Sequence, residues 1–338
     1  MTIHEVLAEG TKLLSIPATE AQIDTPSLDA SLLLSEVLQI SREKLIVNAN
    51  EPITEPDRER FLKLLERRRR GECIAYILGR RDFRGLTFAV NHHVLVPRPD
   101  TETLVEAALE YIDSWQISKK VPKPIKNHSI GPKTGHVATQ SKSLTLLDLC
   151  TGSGAIAISL KRERPFLSVT ASDISAEALE VAALNNSQIF SRGGAENAET
   201  RGENNTRCSL TENTEDAEGK SEAVRFIQSD LFENISGKFD IIVSNPPYVP
   251  SGVIDTLAPE LQREPRLALD GGGDGLVLVR KIISESRDHL VPGGVLLLEA
   301  GPEQMPVIRK LLEERGFSNI KVHRDLAGRE RVISGKYN

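Results

Sequence analysis

The tetrapeptide Asn245-Pro246-Pro247-Tyr248 combines residue types suited to holding a planar NH2 group. It follows the apolar run 239–244, which has the pattern of a buried strand. It should therefore lie at a strand end, where open α/β sheets bind ligands. The prolines fix φ and lack N–H donors, so the loop is stiff and its carbonyl groups serve as acceptors. The side-chain oxygen of Asn245 and the carbonyl of Pro246 would form a pair of acceptors beside the flat ring of Tyr248. For Asn-Pro alone, an ordinary turn is the alternative.

A glycine-containing turn upstream has the form of a loop that holds a nucleotide-like cofactor. The strand-like run 144–149 leads into Cys150-Thr151-Gly152-Ser153-Gly154, and a helix is expected over 155–161. Glycines let a ligand approach the backbone closely and expose the N–H groups that begin the helix. Ala157 occupies the third glycine position of G-x-G-x-x-G, which disfavours a pyrophosphate cradle. A dinucleotide fold and a plain tight turn remain alternatives for the loop by itself.

Two carboxylates at later strand ends sharpen this prediction. Asp173 ends a strand about 20 residues after the turn, a position suited to gripping both ribose hydroxyls of an adenosine ligand. Asp230 ends a third strand and suits the adenine amino group, with Leu231 and Phe232 able to pack on the ring. Each acid could instead be a helix N-cap. The glycine-containing turn, Asp173 and Asp230 come at the ends of successive strands, and together they indicate a site for S-adenosylmethionine. Asn245 follows the next strand and should lie at the mouth of that pocket.

These residues constrain the chemistry to methyl transfer onto a nitrogen. A sulfonium methyl group is already activated, so the enzyme mainly needs to place the nucleophile in line with it. An amide nitrogen is a poor nucleophile because its lone pair is delocalised into the carbonyl. Accepting its two N–H bonds at the Asn245 oxygen and the Pro246 carbonyl would direct the lone pair toward the methyl group and stabilise the developing positive charge.

Composition indicates a soluble, globular protein large enough for two domains. The chain has 338 residues, 39% of them hydrophobic and 27% charged. A formal charge of −6 and a pI near 5.8 argue against a protein that coats nucleic acid. The three cysteines are far apart, and the pair His92-His93 has no visible third ligand, so we expect no metal site. Residues 1–14 do not resemble a signal peptide, and we expect a cytoplasmic monomer without membrane association.

The small elements before residue 100 are expected to form two units. Residues 1–73 show helical spacing of apolar residues, with Thr54 as an N-cap and Gly71 as the stop of one helix. The run Arg67–Arg70 in its last turn is either a solvated helix end or an electrostatic contact to an acidic or RNA-bound partner. Residues 74–99 are predicted as a β-hairpin linker, with strands 83–90 and 94–96 around a turn at 91–93.

Residues 100–338 are expected to form the larger domain. After a helix over 101–115, strand and helix patterns alternate from residue 144, which favours a parallel, doubly wound sheet. Residues 117–143 and 192–222 are polar and aperiodic, and are predicted as flexible insertions.

The chain resembles the peptide chain release factor glutamine methyltransferases, the PrmC/HemK family, over nearly its whole length. NPPY alone is shared with DNA adenine and rRNA amino-group methyltransferases, whereas the linker segment and the segment EPRLALDGGGDGL are more specific. The resemblance rests on five segments: 75–106, 147–160, 239–250, 263–276 and 291–301.

The resemblance implies a Rossmann-like class I S-adenosylmethionine-dependent methyltransferase domain with a small N-terminal helical domain that docks the release factor. The implied reaction is N5 methylation of the glutamine in the GGQ motif of class 1 release factors. Asn245, Pro246 and Tyr248 would be catalytic, and Asn245 to Tyr248 would bind substrate. The implied cofactor residues are Asp148, Cys150, Thr151, Gly152, Ser153, Gly154, Asp173, Asp230, Leu231 and Asn245.

Two departures and several alternatives accompany this prediction. Cys150 stands where the family often has glycine, and both insertions look longer than is usual in the family. Gly271-Gly272-Gly273 is expected to be a turn near the substrate cleft. The main alternative is a DNA or rRNA exocyclic-amino methyltransferase. An aromatic content of 4% and a negative net charge disfavour a flipped base, and no nucleic acid is expected as direct substrate. A non-catalytic binding protein and a dehydrogenase are weaker alternatives.

Overall fold

A computed structural model of the protein describes residues 1–16, 23–120, 143–191 and 224–338. The predicted insertion 192–222 lies outside these residues, as does most of 117–143. Helix is observed as far as Lys120, beyond the predicted end at residue 115. Within the described residues, no helix is both long and apolar enough to cross a membrane.

The N-terminal part is a small helical bundle with its own core. Thr2 forms a capping box with Glu5, and the Thr54 side chain accepts from the Asp57 N–H, as predicted. Gly10 lets the helices Ile3–Leu14 and Glu55–Arg69 approach closely, since a Cβ there would lie 2.6 Å from the ring of Phe61. The helices are α1 Ile3–Leu14, α2 Pro26–Leu38, α3 Arg42–Val47, α4 Glu55–Arg69 and α5 Ile74–Leu78.

The linker contains a β-hairpin, but not the predicted one. Strands β1 Arg80–Phe83 and β2 Leu86–Ala89 pair antiparallel around Arg84-Gly85, and both turn residues have positive φ, 48° and 71°. Two residues in this conformation make the turn that matches the twist of a hairpin. The predicted strands 83–90 and 94–96 are therefore wrong. Residues 91–93 do turn, since Asn91 accepts from the His93 N–H, but no strand follows them.

A seven-stranded sheet in the order β5-β4-β3-β6-β7-β9-β8 forms the centre of the large domain. Strands β3 to β7 run parallel, and β9 is antiparallel to both β7 and β8. The predicted doubly wound fold is confirmed. The strands are β3 Thr145–Leu149, β4 Ser168–Asp173, β5 Arg225–Gln228, β6 Phe239–Ser244, β7 Leu290–Glu299, β8 Phe317–Arg324 and β9 Glu330–Tyr337.

Helices cover both faces of this sheet. Successive residues of β6 alternate between the two cores, with Val243 packed on the α6–α7 side and Ile242 on the α10–α11 side. The helices are α6 Glu102–Lys120, α7 Ala155–Glu163, α8 Ala176–Ser191, α9 Pro259–Gln262, α10 Val277–His289 and α11 Met305–Glu314.

The strand order reverses between β3 and β6, which makes their carboxyl ends the topological switch point. From β3 the chain proceeds outward through β4 and β5, and then returns to place β6 on the other side of β3. The loops after these neighbouring strands diverge and leave a crevice between them. This is where doubly wound sheets bind ligands.

The arginine run at the end of α4 is held by intramolecular ion pairs. Arg68 is buried and bonds Asp29 of α2 at 2.6 Å and Glu260 of α9 at 2.8 Å. The other three arginines pair with nearby glutamates on α4 or just after it. A solvated helix end therefore does not describe Arg68, which instead joins the N-terminal bundle to the large domain.

Candidate active site

A cavity of about 310 Å³ opens at the switch point. Among the predicted cofactor and substrate residues, its walls include Cys150, Thr151, Gly152, Ser153, Asp173, Asp230, Leu231, Asn245 and Pro247. The predicted residues Asp148, Gly154, Pro246 and Tyr248 lie next to these in the chain, outside the lining. One cavity therefore collects residues from four strand ends, as the order of the sequence motifs suggested.

The loop after β3 depends on three residues with positive φ. These are Cys150 at 58°, Gly152 at 54° and Gly154 at 80°. A Cβ at Gly154 would lie 2.7 Å from the Ile158 side chain, so glycine is required there. Cys150 adopts the left-handed conformation without being glycine, which costs about 1–2 kcal/mol. Its thiol stays protonated, because burial raises its pKa well above the usual range.

Asp148 lies buried beneath this loop. Its Oδ2 accepts from the Thr151 hydroxyl at 2.6 Å and from the Ala157 N–H at 3.2 Å, so it ties the loop to the first turn of α7. Its Oδ1 has no hydrogen-bond partner among the described residues. Burial raises the pKa of Asp148 to about 7. Asp148 is 0% exposed and lies outside the cavity lining, so the role that the structure shows for it is to hold the loop.

Asp173 connects two loops at the cavity. It accepts from the Gly152 N–H at 2.9 Å and from the Ser175 N–H at 3.0 Å. The side-chain cap at the start of α8 is Ser175, which accepts from the Ala178 N–H. Asp173 therefore holds the glycine loop, and burial raises the pKa of its carboxyl group.

The segment after β5 places Asp230 and Leu231 at the cavity but turns Phe232 away. Asp230 pairs with Lys281 of α10 at 3.3 Å, a partner that the sequence did not suggest. Leu231 has a φ of 49°, which reverses the chain, and the Phe232 ring stacks on His289 with centroids 4.5 Å apart. The prediction that Phe232 packs on a ligand ring is therefore wrong.

The tetrapeptide follows β6 as predicted. The Asn245 Nδ2 donates to the Thr101 hydroxyl at 3.2 Å, which leaves its Oδ1 free to accept. Pro246 and Pro247 are buried, and Tyr248 is partly buried. Burial raises the pKa of Tyr248 to about 12, so its hydroxyl keeps its proton.

A glycine-rich turn braces the backbone of this tetrapeptide. A Cβ at Gly271 would lie 2.8 Å from the Pro247 carbonyl oxygen, and one at Gly275 would lie 2.2 Å from that of Tyr248. The Tyr248 carbonyl also accepts from the side chain of Gln304 at 2.9 Å. The predicted turn at Gly271–Gly273 therefore packs directly on the candidate substrate loop.

Sequence reasoning missed part of the cavity wall and two buried polar groups. The turn at residues 91–93 was interpreted as structural only, yet its histidines line the cavity. Residues of the segment 265–268, just before the glycine-rich turn at 271–275, line it as well. Thr101 and Glu299 also escaped notice, although both lie in segments that carried the family resemblance. The missed lining residues include His92, His93, Leu95, Arg98, Thr101, Pro265 and Leu267.

The residues present fit S-adenosylmethionine. The carboxylates of Asp173 and Asp230 line the cavity and can accept from ribose hydroxyl and adenine amino donors. Leu231 supplies an apolar wall. Among residues 1–16, 23–120, 143–191 and 224–338, no group of three or more His, Cys, Asp or Glu side chains could hold a metal ion.

Comparison with known proteins gives three family matches along the chain. Residues 5–79 match the PrmC N-terminal domain, and residues 135–200 match the methyltransferase small domain. Residues 168–265, which include the tetrapeptide, match the Eco57I restriction-modification methylase.

Full-length relatives are more specific. The release factor glutamine methyltransferase of Neisseria gonorrhoeae is 36% identical over 92% of this chain and 94% of its own. That of Burkholderia pseudomallei is 35% identical over 95% and 96%. A solved protein-(glutamine-N5) methyltransferase (release factor-specific) from Alicyclobacillus acidocaldarius is 24% identical and covers 74% of this chain and 99% of its own. Its TM-score of 0.35 is slight, so the assignment rests on the sequence relatives. The chain belongs to the release factor glutamine methyltransferase family.

Proposed function

We propose that this enzyme transfers a methyl group from S-adenosyl-L-methionine to the side-chain amide nitrogen, N5, of the glutamine in the GGQ motif of class 1 peptide chain release factors. The observation that carries the proposal is near full-length similarity to enzymes named for this reaction, at 32–36% identity. A cavity that joins cofactor-type carboxylates to the acceptors of Asn245 supports it.

The cofactor contributes an electrophilic methyl group on a sulfonium, and the protein contributes position. The loop from Cys150 to Gly154 would hold the cofactor, together with Asp173, Asp230 and Leu231. The ion pair of Asp230 with Lys281 keeps that carboxylate at the cavity. No step asks these residues to exchange a proton.

Asn245 and Pro246 would hold the nucleophile. The side-chain oxygen of Asn245 and the carbonyl of Pro246 would each accept one N–H of the glutamine amide, which orients the nitrogen lone pair toward the methyl group. Both acceptors would stabilise the positive charge that develops on nitrogen as the new bond forms. The two prolines keep them in place without reorganisation.

Tyr248 would form a wall of the substrate site rather than serve as a base. Burial raises the pKa of its hydroxyl to about 12, so it is protonated throughout the working pH range. The methylated amide becomes acidic on bond formation, and it can lose its proton to water without a dedicated base.

A nucleic-acid amino-group methyltransferase is the second candidate. The match of residues 168–265 to a restriction-modification methylase favours it, since that region includes the tetrapeptide. The net charge of −6 and the 4% aromatic content weigh against it, because a flipped base needs basic and stacking surfaces. The same assay separates the two.

We also propose a division of labour along the chain. Residues 1–73 would dock the release factor, residues 74–99 would link the domains, and residues 100–338 would carry catalysis. We expect a cytoplasmic monomer that acts on protein rather than nucleic acid.

Mass spectrometry of the GGQ peptide tests the proposal. Purified release factor, S-adenosylmethionine and enzyme should yield a peptide heavier by one methyl group on the glutamine. A release factor with this glutamine replaced by asparagine is the matched control and should stay unmodified. Label from the cofactor appearing in DNA or RNA, with none on the release factor, would overturn the proposal.

A further inference from the structure

Two residues with no role in the proposed reaction meet at Asn245. Thr101, just before α6, is 4% exposed, and its hydroxyl accepts from the Asn245 side-chain nitrogen at 3.2 Å. Glu299, the last residue of β7, is 1% exposed, and its Oε2 has no hydrogen-bond partner among the described residues. A buried carboxyl group beside a substrate loop calls for a physical explanation.

Asn245 and Glu299 both follow the last pair of one parallel ladder. This ladder of β6 and β7 ends with Ser244 and Leu298, and Asn245 and Glu299 are the next residues along the two segments. Alternate residues of a strand point to the same face. Two residues earlier, Leu297 packs on the α6 side of the sheet, so Glu299, the last residue of β7, faces that side too. Asn245 lies past the end of β6, and its side chain bonds Thr101 just before α6.

The hydroxyl of Thr101 stands between the two side chains. Hydroxyls of Thr101 and Tyr248 face the Glu299 carboxyl group as hydrogen-bond partners, and the charges of Arg331 and Asp100 act on it as well. Burial is the largest influence on this carboxyl group and raises its pKa to about 7.

The numbers of donors and acceptors fix which way the hydrogen bonds run from Asn245 through Thr101 to Glu299. A threonine hydroxyl has one proton, and a carboxylate can only accept. When the hydroxyl donates to Glu299, it must accept from Asn245, and the Asn245 amide then turns its nitrogen toward Thr101. Its oxygen faces the other way. The opposite arrangement would present an NH2 group to a substrate NH2 group, which cannot form a hydrogen bond.

We propose that Thr101 and Glu299 are positioning residues that fix the orientation of the Asn245 carboxamide, so that its oxygen is offered to the substrate amide. This inference rests on the proposed function. The hydroxyl and the carboxyl group come from two of the segments that carry the family resemblance, 75–106 and 291–301.

A pair of substitutions at Thr101 tests the inference. Thr101→Val keeps the shape and removes the hydroxyl, whereas Thr101→Ser keeps the hydroxyl and removes the methyl group. We expect Thr101→Val to lower kcat about 10- to 100-fold, the scale of a small misplacement of reacting groups, with cofactor affinity little changed. Thr101→Ser should restore most of the rate. If Thr101→Val is as active as the wild type and Thr101→Ser is the weaker variant, the Thr101 methyl group matters for packing and the hydroxyl does not. That result would overturn the inference.

The pH dependence of kcat at saturating cofactor is a second readout. The groups facing Glu299 are Thr101 and Asp100 before α6, Tyr248 after β6, and Arg331 on β9. Because a protonated Glu299 can donate, the wild-type kcat should fall as pH drops through about 7. This step should be absent from Glu299→Gln, which can donate or accept at every pH and should be slower throughout. A step of equal size in both enzymes would overturn the inference.

The wild-type enzyme in the same assay separates the two proposals. A wild type that leaves the release factor unmethylated overturns the proposed function and this inference with it. An active wild type together with a fully active Thr101→Val overturns the inference alone. Calorimetric binding of S-adenosylmethionine confirms that each variant is folded, and the wild-type pH profile needs no variant.

Discussion

Replacing Asn245 by alanine should separate methyl transfer from cofactor binding. The substitution removes the Oδ1 acceptor and the hydrogen bond from Nδ2 to Thr101, but it leaves the loop after β3 and both carboxylates of the cavity untouched. In the proposed reaction the oxygen would face the nitrogen on which charge develops, so its loss should raise the energy of the transition state rather than weaken binding of the cofactor.

The expected losses of kcat and of cofactor affinity differ, because Asn245 would contribute more to the transition state than to cofactor binding. One preorganised hydrogen-bonding group at a developing charge contributes about 10²–10³ in kcat, or about 2.7–4 kcal/mol. Asn245 is also one of many residues along the cavity wall, and removing an ordinary hydrogen bond there costs about 0.5–1 kcal/mol of cofactor affinity. We therefore expect methylation to be nearly lost and the cofactor Kd to rise only about two- to fivefold.

Asp173→Asn is the matched control, because it should show the opposite pattern. The variant keeps its size but loses its charge and one of two acceptors, which now serve Gly152 and Ser175. Hydrogen bonds to charged groups contribute about 1.5–3 kcal/mol, so cofactor affinity should fall about 10- to 100-fold.

Isothermal calorimetry gives the cofactor Kd of each variant, and single-turnover mass spectrometry of the GGQ peptide gives the rate. The rate is measured at saturating cofactor where affinity allows. Asn245→Ala at full rate would refute the role assigned to its side chain. An equal loss of rate and of cofactor affinity would refute the separation of the two sites.

Three further predictions concern the scaffold. Arg68→Leu leaves the buried carboxylate of Asp29 without its ion-pair partner and should lower the urea unfolding free energy by about 3–5 kcal/mol. Glu260→Gln, at a position where the glutamate side chain is 42% exposed, should lower it by less than about 1 kcal/mol. Equal losses in the two variants would contradict this account. Gly275→Ala places a Cβ 2.2 Å from the Tyr248 carbonyl oxygen and should displace the tetrapeptide, so methylation should fall while cofactor binding measured by calorimetry is kept. An unchanged rate would show that the contact between Gly275 and Tyr248 does not support the tetrapeptide. Burial raises the pKa of Glu299 from 4.5 to about 7, so the folded chain keeps a proton that the unfolded chain releases. Stability should therefore fall as pH rises toward about 7, and the drop in Tm between pH 5.5 and 8 should be smaller in Glu299→Gln; equal drops would rule out this carboxyl group as the cause.

Features set by local chemistry were predicted well from the sequence. The cap at Thr54, the stop at Gly71 and the strand–turn–helix around Gly152 each depend on residues a few positions apart. The alternation of strands and helices after residue 144 likewise predicted the doubly wound sheet, because hydrophobic periodicity reflects which faces are buried.

The errors share a physical origin in single backbone conformations. Continuous apolar alternation over 83–90 concealed the two-residue turn at Arg84-Gly85, where both φ angles are positive. A positive φ at Leu231 sent Phe232 into the core instead of the cavity. A left-handed residue other than glycine leaves little trace in sequence, yet it redirects every side chain that follows.

Long-range pairing was the other gap. Arg68 was expected to be solvated or to await a partner, but its counter-ions lie on α2 and α9, 39 and 192 residues away. Thr101 and Asn245 are separated by 144 residues. Neither composition nor local spacing can reveal such pairs, because the fold brings them together.

The close approach between the glycine turn and the tetrapeptide has a consequence for enzyme engineering. At Gly271 and Gly275 the two backbones approach so nearly that neither position has room for a side chain. Asn-Pro-Pro-Tyr transplanted to the end of a strand in another protein would therefore lack its support and relax. A graft that is to keep the backbone of this loop needs at least residues 245–248 and 271–275 together.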